Sequence, residues 1–223
     1  MPTIDRPAVG GRSSATPGVA GEGRRVRILA IAGSLRAGSY NRRLLQLAHR
    51  AAPSATELKL WDGLKALPPF DEDDEHAPTE AVVAMRRAIA DADAVLIATP
   101  QYNASLPGQL KNALDWASRP YENNVLRDKP VAVIGASPSP SGAARAQGEA
   151  RTVLAAIGAA VLDSELLVPR AAEQFNGHGE LSSPALRRQL SEILDELSTR
   201  ASQTVDPPRR NQRTRPCITS STS

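Results

Sequence analysis

A doubly wound α/β fold is predicted by three observations. Short strand-like runs recur five times along the chain, each but the last is followed by a segment of helical period before the next, and no two runs stand side by side. The first run, residues 26–32 (Val-Arg-Ile-Leu-Ala-Ile-Ala), is almost uninterruptedly apolar. That is how a strand covered on both faces reads, because parallel sheets carry helices above and below.

The elements follow in order. Residues 41–52 place Leu44, Leu45, Leu47 and Ala48 at helical spacing and stop at Pro53. Residues 56–61 form strand two; residues 79–91 form a helix opened by a Thr79 cap with Glu80 beside it; residues 94–98 (Ala-Val-Leu-Ile-Ala) form strand three. A helix over 108–117, strand four over 131–134, a helix over 142–157 and strand five within 159–167 continue the alternation. Residues 184–201 close it, with Leu186, Leu190, Ile193, Leu194 and Leu197 on one face. Five strands joined by right-handed crossovers favour a flavodoxin-like doubly wound parallel sheet, order 2-1-3-4-5, with helices on both faces. Ligand is then expected where the chain reverses direction, between strands one and three, so the loops 33–41 and 100–107 should meet at the carboxyl edge.

Composition narrows the function. The 223 residues are 41% hydrophobic and 3% aromatic, with 27 basic and 24 acidic side chains for a net charge of +3. Residues 1–25 hold four Arg against Asp5 and Glu22, and residues 206–223 four Arg against Asp206, so the centre of the chain sits at −2. A nucleic-acid reader gathers its Lys and Arg on one face of its folded part, so no nucleic-acid partner is expected. Residues 1–24 are rich in Gly, Pro and Ser without apolar period and are expected as a disordered leader, followed by one folded unit over 25–203 and a disordered basic tail over 204–223. The single cysteine, Cys217, permits neither an intrachain disulfide nor a multi-thiol metal site. The longest apolar run, near 152–162, is too short to cross a bilayer, and the expectation is a cytoplasmic protein without a membrane partner. The acidic stretch 67–76 reads as a solvated loop; metal binding by His76 with these acids lacks an ordered spacing, His49, His76 and His178 read as surface or packing residues, and no metal site is expected.

The first loop, Gly33-Ser34-Leu35-Arg36-Ala37-Gly38-Ser39-Tyr40-Asn41, lies where a buried strand ends and a helix begins. Free N–H groups and the positive end of a helix dipole favour a phosphate there. Ser34, Ser39 and Asn41 can donate further bonds and Arg36 can add a charged one. An ordinary helix capped by Ser39 would account for Gly38 and Ser39 alone, not for the other donors. The place where a triphosphate loop needs Gly-Lys-Ser/Thr reads Gly38-Ser39-Tyr40, without lysine. The Gly-x-Gly-x-x-Gly fingerprint is also absent, and Asp62 lies beyond the spacing of about 20 residues for a ribose carboxylate. A mononucleotide with one terminal phosphate fits better.

The second loop follows strand three as Pro100-Gln101-Tyr102-Asn103-Ala104-Ser105-Leu106-Pro107-Gly108. Proline at both ends stiffens it, so that its amides and carbonyls can meet a flat heteroaromatic edge in a fixed arrangement. Tyr102 reads either as an aromatic wall or as a packing residue; Trp116 follows the helical pattern of Leu110, Ala113 and Leu114 and reads as packing.

Together the loops resemble the NADPH-dependent FMN reductase family, the flavodoxin-like group that includes chromate, quinone and azo-dye reductases. The likeness runs from about Val26 to Leu167 and rests on Gly33-Ser-Leu-Arg-x-x-Ser39-x-Asn41 and on Pro100-x-Tyr-Asn-x-Ser-x-Pro-Gly-x-Leu-Lys-Asn-Ala-x-Asp-Trp116, followed by Ser118-Arg119 and Lys129-Pro130. It implies that Ser34, Arg36, Ser39 and Asn41 hold the FMN phosphate, that Pro100, Gln101, Tyr102 and Asn103 line the isoalloxazine ring, and that Ser105 lies nearby. A third loop after strand four, Gly135-Ala-Ser137-Pro-Ser-Pro-Ser-Gly142, would close over the flavin with Ser137. Two positions depart from the family: Gln101 replaces its common Glu, and the third loop has more Pro and Ser and less Gly.

The resemblance implies an FMN-dependent oxidoreductase in which the flavin carries the chemistry and no catalytic side chain is needed. NADPH or NADH would deliver hydride, and a small-molecule acceptor (a quinone, a flavin, an azo compound or chromate) would then take its place in ping-pong fashion. The competing reading is an FMN-binding electron carrier or redox sensor that does not turn over NAD(P)H. By analogy a homodimer or homotetramer is expected.

Overall fold

The computed structural model describes residues 24–205. Expectations for residues 1–23 and 206–223, Cys217 among them, lie outside the described residues. The strands are β1 (Val26–Ala32), β2 (Thr56–Trp61), β3 (Ala94–Ala98), β4 (Pro130–Ala136) and β5 (Ala160–Val168). The helices are α1 (Tyr40–Ala51), α2 (Glu80–Asp91), α3 (Gly108–Ala117), α4 (Ala144–Ile157), the one-turn α5 (Ala171–Gln174) and α6 (Pro184–Val205). All strands pair in parallel in the order β2-β1-β3-β4-β5, as the sequence predicts.

The strand residues divide the core between the two faces. Val26, Ile28 and Ala30 point to a layer made with Leu44, Leu45 and Ala48 of α1 and Leu190, Ile193, Leu194 and Leu197 of α6. Leu29 and Ile31, of opposite parity, meet Val82, Met85 and Ile89 of α2, Leu110 and Leu114 of α3 and Leu154 of α4. Period two in the strands and period 3.6 in the helices meet on each face, which is what fixes the sandwich.

Several boundaries move for stated reasons. The helix expected from residue 142 begins at Ala144, because Gly142 and Ala143 adopt left-handed φ values of 59° and 66°. Thr79 precedes α2, but its side chain makes no capping bond; its carbonyl accepts from Val82 and Val83 instead. Thr204, assigned to the tail, continues α6 as the helix runs on to Val205, and Arg24, assigned to the leader, pairs with Asp93 at 2.8 Å.

Candidate flavin site

The first loop starts from a tether: Gly33 N–H donates to Ala98 O at 2.8 Å, so the chain leaves β1 alongside the end of β3. A Cβ at Gly33 would stand 2.9 Å from Leu110 Cδ2, so a larger residue here would have to push the tip of Leu110 aside. Ser39 caps α1; its buried Oγ accepts from the amides of Asn41 and Arg42 at 3.2 and 3.4 Å. Those two bonds use its lone pairs and leave its O–H proton for another acceptor. Among the described residues, the amides of Ser34, Leu35, Ala37, Gly38 and Tyr40 meet no protein acceptor. Such a run of free N–H groups before a helix is an anion cradle.

Two cations flank this cradle, with different fates. Arg42, in the first turn of α1, is claimed by both oxygens of Asp62, and that hydrogen bond holds the Asp62 carboxyl below its ordinary value. Arg36 is exposed, and among the described residues none of its side-chain nitrogens meets a partner. The guanidinium available to a phosphate is that of Arg36.

Asn41 has a structural task at the same place. Its side chain is buried and spends both ends on one residue: Nδ2 donates to Ala136 O and Oδ1 accepts from Ala136 N–H, each at 2.9 Å. The amide thus imitates a neighbouring strand and ties the start of α1 to the end of β4. One of its two N–H donors and its oxygen are thus engaged in holding the loop in place, and the second N–H remains.

The second loop is a hairpin turn. Tyr102 and Ser105 exchange backbone bonds of 3.0 Å in both directions across Asn103 and Ala104, whose φ values are 50° and 65°. This is the type I′ pattern, which favours Asn at its first central place and Gly at its second. Alanine in the second place carries a left-handed backbone at a cost of about 1 kcal/mol. The Tyr102 ring is exposed, and its hydroxyl lies 3.2 Å from Ser34 Oγ. The two loops expected to converge therefore touch. Pro100 is buried, and Gln101 Oε1 is buried with no donor facing it. Ser105 donates its hydroxyl to Glu149 of α4 at 2.8–3.0 Å, and the Leu106 amide donates to the same carboxylate at 3.0 Å. Glu149 was not singled out by the sequence; 44 residues separate it from Ser105 and no local motif links the two.

Ser137 is buried directly after β4, where its Oγ lies 3.0 Å from Ser139 Oγ, which in turn lies 2.9 Å from Ser141 Oγ. The loop is fastened to the chain after β5: Ala171 N–H donates to Ser137 O and Arg170 N–H to Ser139 O, at 3.0 and 3.1 Å. Hydroxyls and backbone close a loop that has little glycine to spare.

The remaining residues serve the scaffold. Trp116 is buried as expected and also donates Nε1–H to Pro68 O at 3.0 Å; with Asn112, whose Oδ1 accepts from Phe70 N–H, it clamps the crossover before α2. In the acidic stretch, Glu72 and Glu75 face Arg119. His49 Nδ1 lies 2.7 Å from Leu58 O; His76 and His178 are exposed. A cleft of about 390 Å³ opens elsewhere, beside β2 under the last turn of α2. It includes none of the loop residues, and Arg27, Lys59, Glu57 and Asp91 balance one another in its wall.

The donor set fits FMN. A run of unpaired amides, a free serine proton and a free guanidinium suit a phosphate dianion, while an orphaned buried acceptor beside an exposed tyrosine suits a flat ring with N–H donors. A 2-1-3-4-5 parallel sheet with this pair of loops at its switch point is the flavodoxin-like architecture, with a site suited to FMN where the strand order reverses. The chain belongs to the NADPH-dependent FMN reductase family, whose model matches residues 26–173. It is 36% identical over 174 residues to a 2-hydroxy-1,4-benzoquinone reductase of a Burkholderia species, covering 78% of this chain and 94% of that one. An NAD(P)H-dependent FMN reductase of Pseudomonas aeruginosa is 38% identical, with 77% and 93% covered. Among solved structures, FerB, a flavoenzyme NAD(P)H:(acceptor) oxidoreductase from Paracoccus denitrificans, superposes with a TM-score of 0.71 at 31% identity, over 80% of this chain and 98% of that one. The protein is an FMN-dependent NAD(P)H oxidoreductase.

Proposed function

We propose that the enzyme reduces quinones at the crevice between the first two loops, and that Ser34, Arg36 and Ser39 with the free amides of residues 34, 35, 37, 38 and 40 grip the FMN phosphate. The observation that carries this reading is the 3.2 Å approach of Ser34 Oγ to Tyr102 Oη, which sets the anion cradle beside the aromatic wall. When bound, FMN supplies two-electron hydride chemistry: NAD(P)H is oxidised to NAD(P)⁺, and a quinone gains the hydride and one proton from water to become a hydroquinone.

The protein's part is placement. Pro100, Gln101, Tyr102 and Asn103 frame the ring, with Gln101 Oε1 waiting for a donor. The amides of Gln101, Asn103 and Ala104, which meet no protein acceptor among the described residues, offer donors where negative charge gathers on reduction. Ser137, next to the Ala136 that Asn41 ties to the first loop, and the loop it opens would border the same crevice from β4. NAD(P)H and the acceptor take turns in one opening beside the exposed Tyr102, which gives ping-pong kinetics. Quinones are favoured because relatives named as quinone reductases recur among the matches, including one of Escherichia coli at 35% identity. Flavins, azo compounds and chromate are the competing acceptors.

We further propose a cytoplasmic homodimer or homotetramer, following the family resemblance; among the described residues no helix is long and apolar enough to cross a membrane. Light scattering behind size exclusion reads the assembly directly. For the activity, FMN-loaded protein is assayed by initial rates with NADPH or NADH against 1,4-benzoquinone. Parallel double-reciprocal lines are expected; intersecting lines, or no turnover with any quinone, would overturn the reading.

A further inference from the structure

We propose that Glu149 is the positioning residue of the ring-facing loop. From the second turn of α4 it holds the hairpin 102–105 in a backbone shape that the hairpin's own sequence does not favour. The inference rests on the reading that this loop faces the flavin.

The hairpin places Asn103 and Ala104 in left-handed conformations, and the second of these is a place for glycine. An alanine there leaves the turn ready to relax into another shape. What opposes relaxation is at its C-terminal foot. Both oxygens of Glu149 accept from Ser105 Oγ, at 3.0 and 2.8 Å, and Oε2 also accepts from Leu106 N–H at 3.0 Å. Three bonds to one half-buried side chain fix direction as well as distance. Leu106 and Pro107, both buried, then carry the chain into α3. With the foot pinned, Tyr102 keeps its approach to Ser34, and the amides of Gln101, Asn103 and Ala104 keep their presentation.

Glu149 also joins two parts of the site. It lies on the helix that grows out of the third loop, so the second and third loops share one mount in α4. The residue touches no reacting group; it acts through Ser105 and Leu106.

Two measurements test this on the full chain, made with wild type, Glu149→Ala and Glu149→Gln. The first is amide hydrogen exchange without FMN, and the second is FMN titration followed by quenching of flavin fluorescence. Glu149→Ala is expected to speed exchange at Tyr102, Ser105 and Leu106 by about tenfold or more, the signature of local opening, and to raise the FMN dissociation constant by about tenfold. Glu149→Gln should restore both, because a carboxamide keeps an oxygen for Leu106 N–H and offers its NH2 to the Ser105 hydroxyl. Unchanged exchange and affinity in Glu149→Ala, or damage in Glu149→Gln equal to that in Glu149→Ala, overturns the proposal. If Glu149→Ala does not fold, Ser105→Ala decides: intermediate losses support the role and wild-type behaviour overturns it. If wild type itself takes up no FMN, the functional reading fails, and the exchange comparison alone judges the hold of Glu149 on the loop.

Discussion

Ser34 Oγ lies 3.2 Å from Tyr102 Oη, joining two loops that leave neighbouring strands 68 residues apart in the chain. Three further ties complete the frame around the crevice: Asn41 to Ala136, Glu149 to Ser105, and the third loop to the chain after β5. Each loop is thus held by another element, and the ties divide the side chains into those committed to the fold and those left free.

Arg36 is free, so its loss should be felt by the ligand and not by the fold. Arg36→Ala is expected to weaken FMN binding by roughly 1.5–3 kcal/mol, the range for hydrogen bonds to charged groups, with little change in melting temperature. Calorimetric titration of the apoprotein checks it; unchanged affinity removes Arg36 from the phosphate site.

Asn41 is committed, and the opposite pattern is expected. Asn41→Ala leaves the buried Ala136 N–H and C=O without partners, a cost of about 2–4 kcal/mol in folding stability. Urea unfolding of the FMN-free protein reads the loss without reference to the cofactor. A variant as stable as wild type would return Asn41 to the role its motif suggests.

Ala104, at φ 65°, holds a place suited to glycine. Ala104→Gly is expected to stabilise the protein by about 0.5–1 kcal/mol, relief of the left-handed strain outweighing the entropy that glycine loses on folding. Chemical unfolding is the measurement, and a destabilised variant would contradict the strain.

Lys129 reaches under α2, where its Nζ donates to Ile89 O at 2.8 Å. Burial holds its ammonium below the ordinary 10.5. Between the lowered and the ordinary value the unfolded chain binds more protons than the folded one, so this lysine makes stability rise with pH across the window just beneath 10.5. Lys129→Gln should remove that rise from the alkaline limb of the stability profile, measured by urea midpoints from neutral pH upward. An identical slope in the variant would exclude the effect.

The sequence by itself determined the five strands, their parallel order and the meeting of the first two loops, because period two and period 3.6 are local signals and right-handed crossovers leave few ways to connect them. The cap at Ser39, which the sequence offered as an alternative to phosphate binding, is present, since a cap follows from position at a helix start. Only the tertiary structure decided how the polar atoms are spent. Asn41 spends one N–H and its oxygen on Ala136, 95 residues away, and Ser105 gives its hydroxyl to Glu149 of α4, and neither partner is visible in the sequence. A side chain's residue type fixes which hydrogen bonds it can make, but which it does make depends on the groups that folding brings within about 3 Å. Those groups come from distant parts of the chain, where no local pattern records them.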